Sequence, residues 1–202
     1  MVRTRDARLD DAILTAAVDV LSEVGYQRLT MGAVAAAAGV HRPAVYRRWP
    51  SKRHLVVDAV ADRLGVTPTP DTGDLRRDLV AGMTTLVRAL SGTTLGRALP
   101  ALVADLASDA ELAADFRRRV FDPRRETTAA ALRSAIERGE IDPGVDLDFV
   151  LDALAAPLYY RVLFGHLPLT DRLAEQTVDT VLNKIWTRPP VAAHTAARPG
   201  PQ

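Results

Sequence analysis

A short basic string near residue 45 holds the residue types in this chain that could do chemistry. Arg42, Arg47 and Arg48 lie within seven residues of one another, with Tyr46 among them. A guanidinium group can donate two parallel hydrogen bonds to O6 and N7 of guanine, and a tyrosine hydroxyl can contact a phosphate or a base edge. The string therefore favours contact with nucleic acid. The alternative is that these arginines form a solvated helix face.

The residues beside the arginines suit the same chemistry. His41 stands at a predicted helix N-cap, where its ring could donate to a base or a phosphate. Pro43 falls in the first turn, where no intrahelical bond is lost, and Pro43 and Ala44 offer apolar contact to a thymine methyl group. Lys52 and Arg53 open the next helix, where cations oppose the helix dipole. A phosphate docked at this helix start, on backbone N–H groups and Lys52, would explain the misfit.

Short helices predicted from apolar periodicity would position these side chains. Thr30 can cap a helix over residues 31–38, and Gly39 ends it. A second short helix runs from about residue 42 to residue 49 and is ended by Pro50. Two short helices joined by a glycine-containing turn match the helix-turn-helix design, in which the second helix enters the major groove of DNA.

Longer helices are predicted beyond a break at residues 65–73, which is either a linker or a tight connection. Hydrophobic residues make up 48% of the chain, and alanine and leucine dominate the periodic stretches, so we expect an all-α protein of about nine helices. Pro100, Pro123 and Pro157 fall inside predicted helices. They either kink or break these helices, or they open a cavity between them.

Several function classes are excluded by what the sequence lacks. Without cysteine there is no disulfide scaffold or zinc ribbon. Without a glycine-rich phosphate loop, a paired-histidine motif or a nucleophile elbow, we expect no enzyme, cofactor or metal. His166, beside several aromatic residues, is the one plausible catalytic residue of a rival helical enzyme. The chain shows neither a signal peptide nor an apolar run of about 20 residues, so we expect a cytoplasmic protein without a membrane partner.

Residues 9–64 resemble the DNA-binding domain of the TetR family of transcription regulators. The resemblance rests on Leu29-Thr30-Met31, Val34-Ala35, Ala38-Gly39-Val40 and above all on Val45-Tyr46-Arg47-Arg48-Trp49-Pro50-Ser51-Lys52. It implies that Thr30, Tyr46 and Lys52 hold phosphates and that Arg42, Pro43, Ala44 and Arg47 face bases.

The start of the second short helix, which would contact DNA, departs from the family pattern at two positions. Serine is more usual than His41, and glycine is common at the position of Pro43, so the operator sequence cannot be carried over. Gly32 stands where a polar helix former is usual. The predicted DNA-binding residues are Thr30, His41, Arg42, Pro43, Ala44, Tyr46, Arg47, Arg48 and Lys52.

Residues 74–186 resemble one common C-terminal domain of the same family, through Asp142-Pro143, Asp148 and Ala156–Arg161, and residues 187–202 are expected to be a disordered tail. The resemblance implies helices that enclose a small-molecule cavity. Tyr159 and Tyr160 point about 100° apart, so either one can line it. Aromatic residues at helical spacing are alternatively plain core. The predicted ligand-binding residues are Leu86, Leu102, Leu106, Phe116, Val120, Phe121, Tyr159, Tyr160 and Phe164.

The resemblance also implies a homodimer built by the last two long helices. The predicted function is a repressor released from a palindromic DNA operator by a small-molecule effector. An activator of the same family and a helical ligand-binding module without a DNA-binding role are the alternatives. The predicted dimer-interface residues are Leu154, Leu158, Arg161, Val162, Val178, Val181, Leu182 and Ile185.

Overall fold

The computed structural model describes residues 7–185, which form nine helices and no strand, as the sequence predicts. The first helix is kinked at Gly25, whose φ of 74° is not helical. The predicted tail lies outside the described residues. The N-terminal helices are α1 (Ala7–Arg28), α2 (Met31–Ala37), α3 (Arg42–Tyr46) and α4 (Lys52–Leu64). The others are α5 (Leu75–Leu90), α6 (Thr94–Ser108), one helix made of α7 (Ala110–Phe116), a π-helical turn (Arg117–Phe121) and α8 (Asp122–Glu137), then α9 (Leu147–Phe164) and α10 (Asp171–Ile185).

Helix α1 is the central element of the N-terminal half because one of its faces is apolar. Ile13, Ala17 and Leu21 are fully or almost fully buried on that face, and α1 packs against α4 and α6. The sequence-predicted cap of α2 is confirmed, since Oγ1 of Thr30 accepts a hydrogen bond of 3.1 Å from the backbone N–H of Ala33.

The π-helical turn coincides with a proline that the sequence places inside a helix. Pro123 has no N–H group, and its ring would clash with the carbonyl group of Arg119 in a regular α-helix. The backbone N–H of Asp122 bonds to the carbonyl of Arg117, five residues back, which widens the turn before α8 begins. The helix therefore continues through the proline without a break.

The segment between residues 65 and 73 is a tight connection. Nη1 of Arg124 donates to the carbonyl oxygens of Leu64 and Gly65 at 2.8 and 2.6 Å. The backbone N–H and the hydroxyl of Thr72 donate to the buried carboxylate of Asp78 at 2.7 and 2.8 Å. Hydrogen bonds thus hold the connection at both ends.

The N-terminal and C-terminal parts share one apolar core. Helix α1 lies against α6, and the backbone N–H of Tyr26 donates to Oδ2 of Asp105 at 3.1 Å. Because the buried residues are continuous across the connection, the division into domains at residues 9–64 and 74–186 stays a prediction. Within residues 7–185, no helix combines the length and apolar character that crossing a bilayer requires.

Candidate nucleic-acid interface and internal cavity

Helix α3 has only five residues, so its neighbours must fix its orientation. The chain reverses after α2 at Gly39, whose φ is 65°, and the N–H of Val40 donates to the carbonyl of Ala35 at 2.9 Å. On the inner side, Val45 and Trp49 are buried in the core. The turn and these two side chains leave the opposite face of α3 directed to solvent.

The exposed face of α3 gathers most of the predicted DNA-binding residues. Nη2 of Arg42 lies 3.3 Å from the hydroxyl oxygen of Tyr46, and the guanidinium carbon lies 5.5 Å from the centre of that ring. This stacking orders Arg42 along the helix while leaving most of its donors available to an acceptor. The exposed residues of the predicted set are Thr30, His41, Arg42, Pro43, Tyr46 and Arg47.

Arg48 is placed differently from the other predicted DNA contacts. Its guanidinium forms an ion pair with Asp10 of α1 and donates to the carbonyl of Ala44 at 3.2 Å. Arg48 and Ala44 are both half-buried. The side chain of Arg48 therefore fastens the end of α3 to α1 and points away from the exposed face.

The cations at the start of α4 have partners within the protein. Nζ of Lys52 donates to the carbonyl oxygens of Tyr26 and Gln27 at 3.0 and 3.1 Å, and it lies 4.4 Å from the centre of the Tyr26 ring. Arg53 forms ion pairs with Glu111 and Asp115 of α7. Cations at a helix start are unfavourable to the helix dipole, but here Lys52 and Arg53 bond to carbonyl and carboxylate groups of the protein itself. The phosphate contact of Lys52 stays a prediction.

A cavity of about 400 Å³ lies between α5, α8, α9 and the π-helical turn. Its wall is mainly apolar, with Phe116 and Val120 on one side and Met83 and Leu86 on the other. The connection also contributes to the wall. The lining residues are Thr67, Thr69, Gly82, Met83, Thr85, Leu86, Phe116, Val120, Phe121, Arg124, Arg125, Thr127, Thr128, Leu151, Asp152, Leu154, Ala155, Ala156 and Tyr159.

The structure brings together five of the nine residues predicted to line a ligand site, namely Leu86, Phe116, Val120, Phe121 and Tyr159. Leu102 is fully buried elsewhere in the core, and Leu106 packs at the edge of that core. Tyr160 and Phe164 are exposed, 57% and 66% respectively. Of the tyrosine pair, Tyr159 is the residue that faces the cavity.

Two of the three prolines predicted to lie inside helices do not open the cavity. Pro100 and Pro157 lie inside α6 and α9, and both helices continue through them. The carbonyl groups that these prolines deprive of a partner belong to Gly96 and Ala153, and neither residue lines the cavity. Backbone freed by Pro100 and Pro157 therefore does not open onto the cavity, whereas the π-helical turn before Pro123 forms part of the cavity wall.

Two arginines of α8 line the cavity in different electrostatic states. Arg125 donates to the carboxylates of Asp152 and Asp148 at 2.5 and 3.0 Å. Among the described residues, Arg124 bonds only to backbone carbonyl groups, and burial lowers the pKa of its guanidinium because desolvation disfavours the cation. Burial likewise raises the pKa of Tyr159, and the charge of Arg124 opposes that rise.

Sequence reasoning missed several cavity residues for an identifiable reason. Thr67 and Thr69 belong to the connection, whose lack of periodicity gives no signal for which side chains face inward. From the sequence, either Arg124 or Arg161 could neutralise the charge of an acidic ligand. The structure separates the two, since Arg161 donates to the carbonyl of Pro168 at 2.7 Å, beyond the end of α9.

The residues predicted to form a dimer interface divide into two groups. Leu154, Leu158, Val178 and Leu182 are buried inside the protomer, and Leu154 also lines the cavity. These four side chains therefore pack within one chain instead of being offered to a partner. The half-buried group comprises Arg161, Val162, Val181 and Ile185.

The outer face of α9 carries other apolar side chains, and these are exposed to solvent. Tyr160 and Phe164 stack with ring centres 4.8 Å apart, and Phe149 is 70% exposed near the helix start. Leu163 and Leu167 extend the same surface. Several large apolar side chains exposed on one side of a helix are typical of an interaction site.

A chain of contacts joins the cavity wall to α3. Arg119 lies on the π-helical turn next to Val120, and its Nη1 forms an ion pair of 2.5 Å with Oδ1 of Asp58 on α4. The other oxygen of Asp58 accepts a hydrogen bond of 2.9 Å from the indole N–H of Trp49, the buried residue beside α3. One carboxylate thus contacts both the cavity wall and the support of the exposed helix.

Comparison with known proteins agrees with this geometry. Residues 13–59 match the family described as bacterial regulatory proteins, tetR family, and residues 69–181 match the tetracyclin repressor-like C-terminal domain. The chain is 33% identical over 165 residues to the HTH-type transcriptional regulator YdeS of Bacillus subtilis, covering 80% of this chain and 81% of YdeS.

The alignments with two further similar proteins cover most of the length of those proteins. The DNA-binding transcriptional repressor TetR of Mycobacteroides abscessus is 36% identical over 176 residues, which is 85% of this chain and 90% of the relative. The crystal structure of the TetR family transcription regulator SCO0332 superposes with a TM-score of 0.66 at 34% identity, covering 87% of this chain and 97% of that chain. This chain therefore belongs to the TetR family and is a DNA-binding transcriptional regulator, not an enzyme.

Proposed function

We propose that this regulator is a homodimeric repressor that leaves a palindromic operator when a small molecule occupies its cavity. The observation that carries the proposal is the double contact of Asp58, which links the cavity wall to the segment supporting α3. A relative that is 36% identical is named a DNA-binding transcriptional repressor, which favours repression over activation. The site of action would be the cytoplasm, where the operator DNA is located.

Release of DNA requires that the ligand bind more tightly to the state that fits DNA less well. Phe116, Val120 and Phe121 line the cavity at or beside the π-helical turn, so a ligand that displaces them also displaces Arg119. Movement of Arg119 would pull on Asp58 and hence on α4. Because α4 follows α3 directly, its shift would change the separation of the two reading helices of a dimer.

A dimer would place two copies of α3 on one side of the DNA. The exposed apolar face of α9, with Tyr160 and Phe164 at its centre, supports pairing with a second chain. Reading helices related by a two-fold axis contact half-sites about 34–36 Å apart, or a multiple of that distance, so the operator is expected to be palindromic.

Fluorescence anisotropy with DNA from the promoter region of this regulator's own gene tests the proposal. We expect salt-sensitive and sequence-selective binding by the full chain, and one protected palindrome in footprinting. A panel of small organic compounds is then titrated into the complex. We expect at least one compound to release the operator without unfolding the protein.

Arg119→Gln provides the matched test of coupling, with Arg117→Gln as its control on the same turn. The Arg119→Gln protein should bind the operator and the releasing compound, but the compound should weaken operator binding less than in the parent. A typical coupling free energy is about 1–3 kcal/mol, so the release midpoint is a sensitive readout. Unchanged release in the Arg119→Gln protein would refute this route, and absence of selective DNA binding would refute the function.

A further inference from the structure

One cation in the cavity wall has no anionic partner. Among residues 7–185, no carboxylate forms an ion pair with Arg124, whereas Arg125 beside it contacts two carboxylates. Two backbone carbonyl groups occupy Nη1 of Arg124, and no described residue accepts from its Nε or Nη2. Arginine stays protonated in proteins, so a desolvated positive charge with available donors remains beside the cavity.

The hydroxyl group of Tyr159 adds a second donor at the same place. Tyr159 is largely buried and lines the cavity, and its phenol forms no hydrogen bond with any residue between 7 and 185. Tyr159 and Arg124 line the same cavity, and the positive charge of Arg124 opposes the rise in the pKa of the phenol. A neutral phenol beside a guanidinium can donate to the same anion.

Apart from the hydroxyl of Thr67, the other polar side chains of the cavity wall have partners within the protein, and Asp152 pairs with Arg125. The hydroxyls of Thr69 and Thr128 lie 3.2 Å apart, and those of Thr85 and Thr127 donate to the backbone carbonyls of Ala81 and Arg124. The rest of the wall is dominated by apolar carbon. A ligand that fits this cavity thus needs an apolar body and one charged group at a defined end.

We propose that the effector is a small organic anion, a carboxylate with an aromatic or aliphatic body, whose charged group contacts Arg124 and Tyr159. The body would lie against apolar side chains of α5 and the π-helical turn, such as Leu86, Phe116 and Val120. This inference rests on the proposed function, because it names the chemical class of ligand for the same cavity.

Arg124 also has a structural contact that the test must separate from ligand binding. It joins α8 to the end of α4 through the carbonyl groups of Leu64 and Gly65. An Arg124→Met protein therefore loses that contact as well as the charge. Arg124→Lys keeps the charge, so a comparison of the two variants assigns the effect to one cause.

The experiment uses two fluorescent probes that differ only in charge, with the full chain and without DNA. 8-Anilinonaphthalene-1-sulfonate carries a sulfonate group, and N-phenyl-1-naphthylamine is the same aromatic body without it. Dissociation constants are measured for the parent, Arg124→Met, Arg124→Lys and the control Arg133→Met. Arg133 lies on the same helix with an exposed side chain, so the control removes an equal charge outside the cavity. Thr85→Trp, which fills the cavity, should abolish the binding of both probes.

We expect Arg124→Met to weaken the anionic probe roughly tenfold or more relative to the neutral probe, which is the size of effect for a hydrogen bond to a charged group. Arg124→Lys should keep most of the preference, and Arg133→Met should keep all of it. Octanoate should displace the anionic probe from the parent, while octan-1-ol at equal concentration should not.

Equal loss of both probes in Arg124→Met, or equal displacement by octanoate and octan-1-ol, would overturn the proposed ligand class. Circular dichroism on each variant shows whether it is folded, and Arg124→Lys keeps the test decisive if the methionine variant is not. A protein that selects the anionic probe but keeps its operator when saturated with octanoate would contradict the release mechanism alone, so the two failures are distinguishable.

Discussion

Asp58 and Arg119 form an ion pair of 2.5 Å across the junction between the N-terminal helices and the cavity wall. The pair is only partly exposed, and the second oxygen of Asp58 holds the indole of Trp49. The segment that positions α3 and the turn that lines the cavity therefore share one carboxylate. This relationship makes Asp58 the most informative residue of the fold for mutation.

Asp58→Ala should destabilise the protein by about 1–3 kcal/mol, because it leaves the buried indole N–H of Trp49 without an acceptor. Asp58→Asn should cost less, since an amide oxygen can still accept that hydrogen bond. Asp62→Ala, one turn later on the same helix and more exposed, is the control. Urea unfolding monitored by circular dichroism measures the three changes, and equal losses for Asp58→Ala and Asp62→Ala would contradict the role of Asp58.

Arg42→Ala should weaken binding at one cognate base pair by about 1–3 kcal/mol, because a guanidinium that bonds to a base edge discriminates between bases. The measurement is anisotropy on the operator and on a set of single-base variants. Arg77→Ala on α5 removes the same charge away from α3 and should leave the sequence preference unchanged. A uniform loss on all sequences would assign Arg42 to the phosphates instead.

Lys52→Ala should lower the free energy of unfolding by about 1 kcal/mol, since it removes a cation from the carbonyl end of α1. If Lys52 also contacts a phosphate, the variant should bind all DNA sequences less tightly, and the salt dependence should flatten by about one unit. Thermal melts and a salt titration read the two effects separately. Weaker DNA binding without loss of stability would show that the α1 contact contributes little.

Asp10→Ala tests whether Arg48 acts on DNA directly or through the position of α3. Removing an acidic residue near a DNA-binding surface ordinarily strengthens binding to a polyanion. Asp10 pairs with Arg48, however, and Arg48 fastens α3 to α1. We therefore expect operator binding to weaken in Asp10→Ala by a few-fold, and an increase in affinity would mean that the released Arg48 contacts phosphate.

Phe164→Glu should disrupt the proposed dimer, because it places a charge beside Tyr160 on the exposed apolar face of α9. Sedimentation velocity should show the variant as a monomer at concentrations where we expect the parent to be a dimer, and operator affinity should fall with it. Val66→Glu changes an equally apolar but separate exposed residue of the connection and should remain dimeric. A dimeric Phe164→Glu protein would place the interface elsewhere.

Sequence periodicity was sufficient for the elements that depend on local interactions. The cap at Thr30 and the turn at Gly39 follow from backbone geometry, which is a property of a few neighbouring residues. These features could be predicted because no distant residue decides them. The predicted end of α3 at residue 49 was wrong, because the helix already ends at Tyr46, well before Pro50.

The inward face of α9 was not predictable in this way. The helix is apolar on nearly all sides from Leu147 to Phe164, so its pattern does not distinguish a core face from a face offered to a partner. Packing against α5, α6, α8 and α10 decided that Leu154 and Leu158 are internal and that Tyr160 and Phe164 are exposed.

The amino-acid sequence alone determined the helical class and the short helix α3 with its exposed arginines, because hydrophobic spacing and caps act over one or two turns. Tertiary structure alone decided the partners of Lys52 and Arg53 and the cavity lined by Thr69 and Arg124. These contacts join residues that are distant along the chain. The type of a side chain indicates which kind of neighbour it favours, but only the folded structure determines which residue it contacts.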